Sequence, residues 1–206
     1  PAPVQVYDTL ESSNRTAKLL ALDGAPHGTL VLTAHQSAGR GRLGRVFESP
    51  SGKGVYLSVL LRPAVPAASA QTATIGAAVA VCRAVQELCG LELGIKWVND
   101  LYYQGKKVCG ILTEAGTDLE SGRLEWLVVG IGLNLTATAA DWPPELAEKA
   151  GSLYPGGPAP VSRAALAGAI ARQLLALCPA FDCLDEYRAR CFVPGHWVTV
   201  CTGTET

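Results

Sequence analysis

The sequence predicts an α+β fold, in which a mixed or largely antiparallel sheet carries helices packed on one face. Two observations support this prediction. Short apolar runs follow one another between residues 94 and 135, with tight turns at Gln104-Gly105 and Ser121-Gly122, as in successive hairpins. Helices are predicted before this run, from Ser12 and over residues 67–88, and after it from Ser162, which is compatible with helices packed on one face of the sheet.

Helix boundaries are marked by capping residues. Ser12 is a candidate N-cap for the first helix, because its side chain can accept a hydrogen bond from a free backbone N–H. Gly90 closes the Ala-rich helix predicted over residues 67–88. A further helical stretch begins at Ser162 and is broken near Pro179.

The strands are punctuated by glycine, proline and polar turn residues. They are predicted at residues 3–7, 29–35, 55–62, 94–98, 100–103, 107–114, 124–135 and 196–201. The last strand is expected to begin a second, small β module, which would divide the chain into domains of residues 1–193 and 194–206.

Composition and charge exclude several classes of protein. Of the 206 residues 49% are hydrophobic and 17% charged, which indicates one sizeable core. The formal net charge of −1 gives no overall attraction to DNA or to a membrane surface. The sequence contains no uninterrupted run of about 18 apolar residues, the length that would predict a membrane span. The seven cysteines form no C-x-x-C pair, so we expect no structural metal, and buried thiols suit the cytoplasm.

A Gly- and Arg-rich stretch, Q-S-A-G-R-G-R-L-G-R, occupies residues 36–45. Its G-x-G-x-x-G spacing does not predict a dinucleotide site, because Pro50 and Gly52 follow where a helix would have to begin. Arginine side chains on a flexible loop can bind carboxylate or phosphate oxygens. From spacing alone, a solvated basic loop or a nucleic-acid contact stays an equal alternative.

Three other stretches carry polar groups in a ligand-binding pattern. Residues 96–114 place lysines beside Asn-Asp on one hairpin, where a carboxylate can hold Mg²⁺ on a triphosphate. Residues 128–135 read V-V-G-I-G-L-N-L, with glycines that allow close approach and an asparagine that can bond a purine edge. Residues 11–14, E-S-S-N, can bond a small polar headgroup. Taken singly, a surface hairpin, a β-bulge and an ordinary N-cap explain these stretches equally well.

The order of these motifs is more specific than any one of them. S-S-N, Q-x-x-G-R-G-R-x-G-R, S-P-x-G, K-W-x-N-D-L, K-x-x-G-I-L-x-E and G-I-G-L-N resemble, in that order, the catalytic domain of biotin protein ligases from about residue 7 to 135. The resemblance is to the class without an N-terminal DNA-binding domain. It implies a catalytic domain like that of class II aminoacyl-tRNA synthetases, followed by an SH3-like barrel of which residues 194–206 would be the start.

The resemblance also implies a reaction. Such enzymes use Mg²⁺ with ATP to activate biotin as biotinyl-5′-AMP, and transfer biotin to a lysine of a biotin carboxyl carrier protein. We therefore expect a cytoplasmic ligase with biotin, ATP and the carrier as partners, without DNA or membrane binding. A homodimer is a hypothesis.

Position by position, the resemblance assigns roles to residues of this chain. The expected biotin-binding residues are Ser12, Ser13, Asn14, Gln36, Gly39, Arg40, Gly41, Arg42, Lys107 and Gly110. The expected ATP-binding residues are Arg45, Phe47, Lys96, Asn99, Asp100 and Asn134. Of these, Lys107, Arg42 and Arg40 are the expected catalytic residues, and Asp100 is the expected Mg²⁺ ligand.

Two positions depart from the family pattern, and two rival functions stay open. Val98 stands where proline is usual, and Phe47 replaces a common tryptophan, which keeps an aromatic wall without the indole N–H. The nearest rival is a lipoate or octanoate ligase or transferase of the same fold, whose R-R-x-x-G-G-G signature is absent here. An arginine-loop nucleic-acid-binding protein is a rival from another class.

Overall fold

One seven-stranded sheet organises the computed structural model, which describes residues 2–199. The strands are β1 (Val4–Leu10), β2 (Leu30–Gln36), β3 (Gly54–Leu61), β4 (Gly94–Lys96), β5 (Asp100–Tyr103), β6 (Lys106–Thr117) and β7 (Leu124–Asn134). Their order across the sheet is β1-β2-β3-β7-β6-β5-β4. Only the β1–β2 pair is parallel among these strands, so the prediction of a mixed, largely antiparallel sheet is confirmed.

The helices are α1 (Ser13–Leu22), α2 (Ala70–Cys89), α3 (Pro144–Ala147), α4 (Arg163–Leu177) and α5 (Leu184–Arg190). Three of the helix ends lie at the predicted caps Ser12, Gly90 and Ser162, whereas α2 begins at Ala70 and not at the predicted residue 67. The Ser12 and Ser162 side chains accept hydrogen bonds from backbone N–H groups in the first turns of α1 and α4. Gly90 ends α2 in the left-handed conformation, with φ 68°.

The main core lies between the sheet and α2, α4 and α5. The segment Ala67–Cys89, which contains α2, is long and apolar enough to cross a membrane by length and composition alone. However, its alanines and valines from Ala73 to Val85 are buried in the main core, as expected of a core helix. The prediction of helices on one face holds for these three helices. In contrast, α1 packs its alanines on the opposite face, against Leu60 and Val128.

The face of the sheet that carries α1 also provides the floor of a cavity. Along β7, Trp126 and Val128 pack with α1, whereas Gly130 and Gly132 follow on the same face. Because neither glycine adds a side chain to this face, the Asn14 side chain at the start of α1 can lie against Gly130 and the Phe47 ring can lie against Gly132. The intervening residues of β7 point into the main core.

The second predicted domain is not tested by the structure. Residues 196–199 pair with no other strand among the described residues, so this part of the predicted strand 196–201 is not observed. Residues 200 and 201 lie outside the described residues. The division at residue 193 stays a prediction.

An ion pair between α2 and α5 gives the fold a defined response to acid. Arg83 Nη2 donates to Glu186 Oε2 at 2.6 Å, and this hydrogen bond is the main reason that the pKa of Glu186 is lowered. A carboxyl with a lowered folded-state pKa stabilises the fold above its unfolded-state pKa, and the contribution is lost as pH falls through the lowered value. We therefore expect Glu186→Gln to lower the free energy of unfolding by about 0.5–1 kcal/mol at pH 7 and hardly at all near pH 2.

Urea unfolding at the two pH values would measure this difference. Asp185→Asn is the matched control on the same helix, because Asp185 is fully exposed and its contact with Arg188 is 3.7 Å long. An equal loss for Glu186→Gln at both pH values would contradict the prediction.

Candidate active site

A cavity of about 480 Å³ lies between the start of α1, the loop of residues 40–48 and the glycine-bearing face of β6 and β7. It brings together residues from five separate stretches of the sequence. All predicted site residues except Gly39 line it: Ser12, Ser13, Asn14, Gln36, Arg40, Gly41, Arg42, Arg45, Phe47, Lys96, Asn99, Asp100, Lys107, Gly110 and Asn134.

Gly39 lies behind the cavity wall. A Cβ at this position would come within 2.3 Å of the Phe47 carbonyl oxygen, and Phe47 N donates to the Gly39 carbonyl at 2.9 Å. Glycine is therefore needed here so that the two ends of the Arg-rich loop can approach each other. The structure gives Gly39 a place in the loop's own packing and not in the lining of the cavity.

The end of the cavity nearest α1 is polar and uncharged. Ser13 donates to Gln36 Oε1 from its backbone N at 2.9 Å and from its hydroxyl at 3.0 Å. Gln36 Nε2 in turn donates to the Ser49 hydroxyl at 2.9 Å. These side chains can read a small group that carries both donors and acceptors.

Asn14, beside Ser13, is held by residues that the sequence analysis did not select. Its Nδ2 donates to the Leu112 carbonyl at 3.2 Å and to Glu114 Oε2 at 3.0 Å. The Ser58 hydroxyl lies 2.7 Å from Asn14 Oδ1, and Lys18 pairs with Glu114 at 2.7 Å. Ser58 is a polar residue in the middle of the predicted apolar strand 55–62, and this was the signal for its role.

The middle of the cavity is cationic. Lys107 Nζ lies 2.8 Å from Asp100 Oδ1, and both side chains are about one-third exposed or less. Arg42 Nη1 donates to Asn99 Oδ1 at 3.0 Å, which ties the Arg-rich loop to the β4–β5 hairpin. Arg40 makes a longer contact of 3.7 Å with Glu11. These cations can face an anionic ligand.

An aromatic ring closes the side of the cavity that lies over the sheet. The Phe47 ring is so close to the two strands that a Cβ at Gly132 would lie 2.4 Å from its Cε1, and one at Gly110 3.1 Å from its Cε2. The loop after Phe47 is anchored by Tyr56, whose hydroxyl donates to the Pro50 carbonyl at 2.9 Å. Burial raises the pKa of Tyr56, which keeps this donor protonated.

The far end of the cavity combines an amide with an indole. Asn134 Nδ2 donates to the Gly151 carbonyl at 2.9 Å, whereas its Oδ1 is buried and has no partner within residues 2–199. Trp142 lines the same end and is 8% exposed. Trp142, with its neighbours Leu146, Lys149 and Ala150, was not selected from the sequence, because its loop has no regular pattern. Lys96 and Arg45 are exposed at the rim.

The carboxylate of Asp100 fits a Mg²⁺ ion that is held mainly by phosphate oxygens. Proteins bind magnesium on nucleotides through one or two carboxylates, with phosphates and water as the other ligands. Asp100 and Glu48 are the acidic residues among those that line the cavity. Within residues 2–199 no group of three or more His, Cys, Asp or Glu side chains could hold a metal ion by itself.

Comparison with solved structures defines the class of the fold. A biotin protein ligase from Aquifex aeolicus in complex with biotin and ATP is 25% identical, with a TM-score of 0.72 over 92% of this chain and 78% of that one. A biotin protein ligase from Leishmania major in complex with biotin covers 100% of this chain and 88% of that one, with a TM-score of 0.76; at 20% identity it shows the fold alone. The fold is that of a protein ligase catalytic domain.

The sequence places the chain within this class. The profile of the biotin/lipoate A/B protein ligase family matches residues 6–134, and the chain belongs to that family. It is 44% identical over 147 residues to the bifunctional ligase/repressor BirA of Bacillus subtilis, which is 71% of this chain and 45% of that protein. It is 32% identical over 199 residues to the biotin–[acetyl-CoA-carboxylase] ligase of Mycobacterium tuberculosis, 92% of this chain and 71% of that protein. The chain therefore spans less than half the length of the Bacillus relative.

Proposed function

We propose that this chain activates biotin with ATP to form biotinyl-5′-AMP and transfers biotin to a lysine of a biotin carboxyl carrier protein. One observation carries the proposal: a single cavity joins an uncharged polar end, a cationic middle and an amide-and-indole end. Biotin and ATP have matching groups in the same order. The uncharged ureido ring of biotin matches the polar end, its carboxylate and the phosphates of ATP match the cationic middle, and the purine matches the amide-and-indole end. The Aquifex aeolicus relative that binds biotin and ATP supports the assignment.

The first step joins two anions. A carboxylate oxygen of biotin attacks the α-phosphorus of ATP, a new P–O bond forms, and the bond to the bridging oxygen breaks as pyrophosphate leaves. Lys107 and Arg42, which both line the cavity, would offset the repulsion between the anions and stabilise the charge on the phosphoryl oxygens. Asp100 would hold a Mg²⁺ ion, which supplies further positive charge to the phosphates.

The second step transfers the acyl group. The neutral amine of the acceptor lysine attacks the carbonyl carbon of biotinyl-5′-AMP, a C–N bond forms, and AMP leaves with the electrons of the C–O bond. The proton that the attacking amine loses passes to water. The mixed anhydride must be shielded from water between the two steps, and the Arg-rich loop over the cavity is placed to do so.

The remaining expectations from sequence form part of this proposal. Ser12, Ser13, Asn14 and Gln36 would bind the biotin ring, with Arg40 and Gly41 closing above it. Arg45, Phe47, Lys96, Asn99 and Asn134 would serve the nucleotide. ATP and a carboxylase carrier domain are found in the cytoplasm, which is the proposed compartment, and a homodimer stays a hypothesis.

Exchange of labelled pyrophosphate into ATP tests the proposal directly, because it requires a reversible adenylation. We expect exchange that depends on biotin and is absent with lipoate. Exchange that depends on lipoate and does not occur with biotin would indicate a lipoate ligase instead. Absence of exchange with both acids, in a protein that is folded by circular dichroism, would overturn it.

A further inference from the structure

A cluster of four polar side chains lies beneath the polar end of the cavity. Its members are Ser13, Asn14, Gln36 and Ser58; Ser13 and Asn14 are each 5% exposed or less, and Ser58 is fully buried. Three short oxygen–oxygen contacts connect the cluster: Ser58 Oγ to Asn14 Oδ1 at 2.7 Å, Ser58 Oγ to Ser13 Oγ at 2.8 Å, and Ser13 Oγ to Gln36 Oε1 at 3.0 Å. Ser13 and Gln36 line the cavity, so this cluster meets the ligand.

The described residues supply too few protons for these contacts. Each hydroxyl carries one proton, and amide oxygens carry none. The Ser13 and Ser58 hydroxyls therefore provide two protons for three contacts, and one contact always lacks a donor. Gln36 Oε1 also accepts the Ser13 backbone N–H at 2.9 Å, so both hydroxyl protons can be used between the serines and Asn14. Ser13 Oγ and Gln36 Oε1 then keep lone pairs at the cavity wall, which can accept an N–H from a ligand.

The orientation of Asn14 maintains this shortage. Its Nδ2 donates to two groups that can only accept, the Leu112 carbonyl and the Glu114 carboxylate. Rotating the amide by 180° would give Ser58 a donor and complete the cluster, but it would set Oδ1 against the carbonyl and the carboxylate. The charge of Glu114 therefore prevents the rotation.

We propose that Glu114 is a positioning residue that holds the Asn14 amide oxygen on Ser58, so that the cluster stays one proton short and accepts a ring N–H of biotin. This inference rests on the proposed function and deepens it. A cyclic urea offers two N–H donors, whereas the dithiolane ring of lipoate offers none. The cluster therefore discriminates between the two substrate classes of the family.

Glu114→Gln tests the proposal, because glutamine keeps the shape of the side chain and can present either an oxygen or an NH₂ group to Asn14. We expect the Kd for biotin, measured by calorimetry, to rise about tenfold. The melting temperature, and kcat for exchange at saturating biotin, are expected to stay close to the wild-type values. If Glu114 had only a structural role, Glu114→Gln would lower the melting temperature and would not raise KM for biotin at an unchanged kcat.

Lys18→Met is the matched control from the same ion pair. It removes the partner of Glu114 at 2.7 Å but leaves the carboxylate that accepts from Asn14. We expect its Kd for biotin to be unchanged. An equal loss of affinity in both variants, or an unchanged Kd in Glu114→Gln, would overturn the proposal.

A pair of substrate analogues adds a second measurement. In each cyclic carbamate analogue of biotin, oxygen replaces one of the two ring N–H groups. One of the two analogues lacks the N–H that faces the cluster. For this analogue we expect the wild-type protein and the Glu114→Gln variant to have the same affinity. The two changes, one in the protein and one in the ligand, would then be coupled in a thermodynamic cycle. Additive losses with both analogues would contradict the proposal. Wild-type protein that fails to bind biotin at all would instead defeat the proposed function.

Discussion

Replacing Lys107 by alanine is expected to lower biotin-dependent ATP–pyrophosphate exchange by about 10²- to 10³-fold at saturating substrate. The Lys107 amino group is a cation of the cavity that lies on strand β6, 2.8 Å from Asp100. A fixed charge stabilises the developing phosphoryl charge without reorganisation during the reaction. An arginine on the loop, whose side chain is exposed, is not expected to substitute for it to the same extent.

The loss should fall on the reaction and leave the fold intact. The backbone of Lys107 accepts from Gly151 N at 2.8 Å and donates to the Lys149 carbonyl at 3.0 Å, and neither bond uses the side chain. Lys106→Ala is the matched control on the neighbouring position, because the Lys106 side chain is exposed and bonds the Ala147 carbonyl outside the main cavity. We expect that variant to exchange at nearly the wild-type rate.

Exchange kinetics and a melting curve for each of the two variants would test this prediction. An activity of Lys107→Ala within a few-fold of wild type would show that the lysine is not the cation that bridges the two anions. A similar loss in Lys106→Ala would indicate a general effect of charge or of folding.

The elements of the fold were predictable where the signal is local. A cap such as Ser12 or Gly90 acts on the backbone of its own turn, so the sequence shows it directly. The alternation of strands and turns between residues 94 and 135 likewise needs no distant partner. In contrast, the placement of α1 on the opposite face depends on a match with Leu60 and Val128, which no local pattern reveals.

The same distinction separates the site residues that were predicted from those that were missed. Lys107 and Asn134 belong to motifs whose order resembles a family, and both line the cavity. Ser58 on β3 and Glu114 on β6 form hydrogen bonds with Asn14 of α1, at sequence separations of 44 and 100 residues. Their roles follow from the strand register, in which Ser58 lies opposite Gly130 and Glu114 opposite Val128, and not from a pattern near Asn14.

Replacing Gly130 by alanine is expected to weaken biotin binding by about 10- to 100-fold and to lower the free energy of unfolding by about 1–3 kcal/mol. The added methyl group would lie 2.1 Å from Asn14 Oδ1 and 2.7 Å from its Cγ. Asn14 cannot turn aside without breaking its hydrogen bonds to Leu112, Glu114 and Ser58. Its amide must therefore leave the cluster.

Gly168→Ala is the matched control, because a Cβ there meets no described atom within 4 Å and alanine favours the helical conformation of α4. We expect it to retain full affinity with equal or higher stability. Calorimetry separates the two effects of Gly130→Ala. Loss of folded protein would lower the apparent number of sites, whereas loss of the cluster would raise Kd at an unchanged number of sites.

The double variant Gly130→Ala with Asn14→Ala distinguishes steric overlap from lost hydrogen bonding. Removing the Asn14 amide removes the atoms that the new methyl group would overlap, so part of the lost stability should return. The affinity for biotin should stay low, because the amide that holds Ser58 in the proton-short cluster is gone. Recovery of both quantities would mean that Asn14 only fills space, and recovery of neither would mean that Gly130 is required by the strand itself.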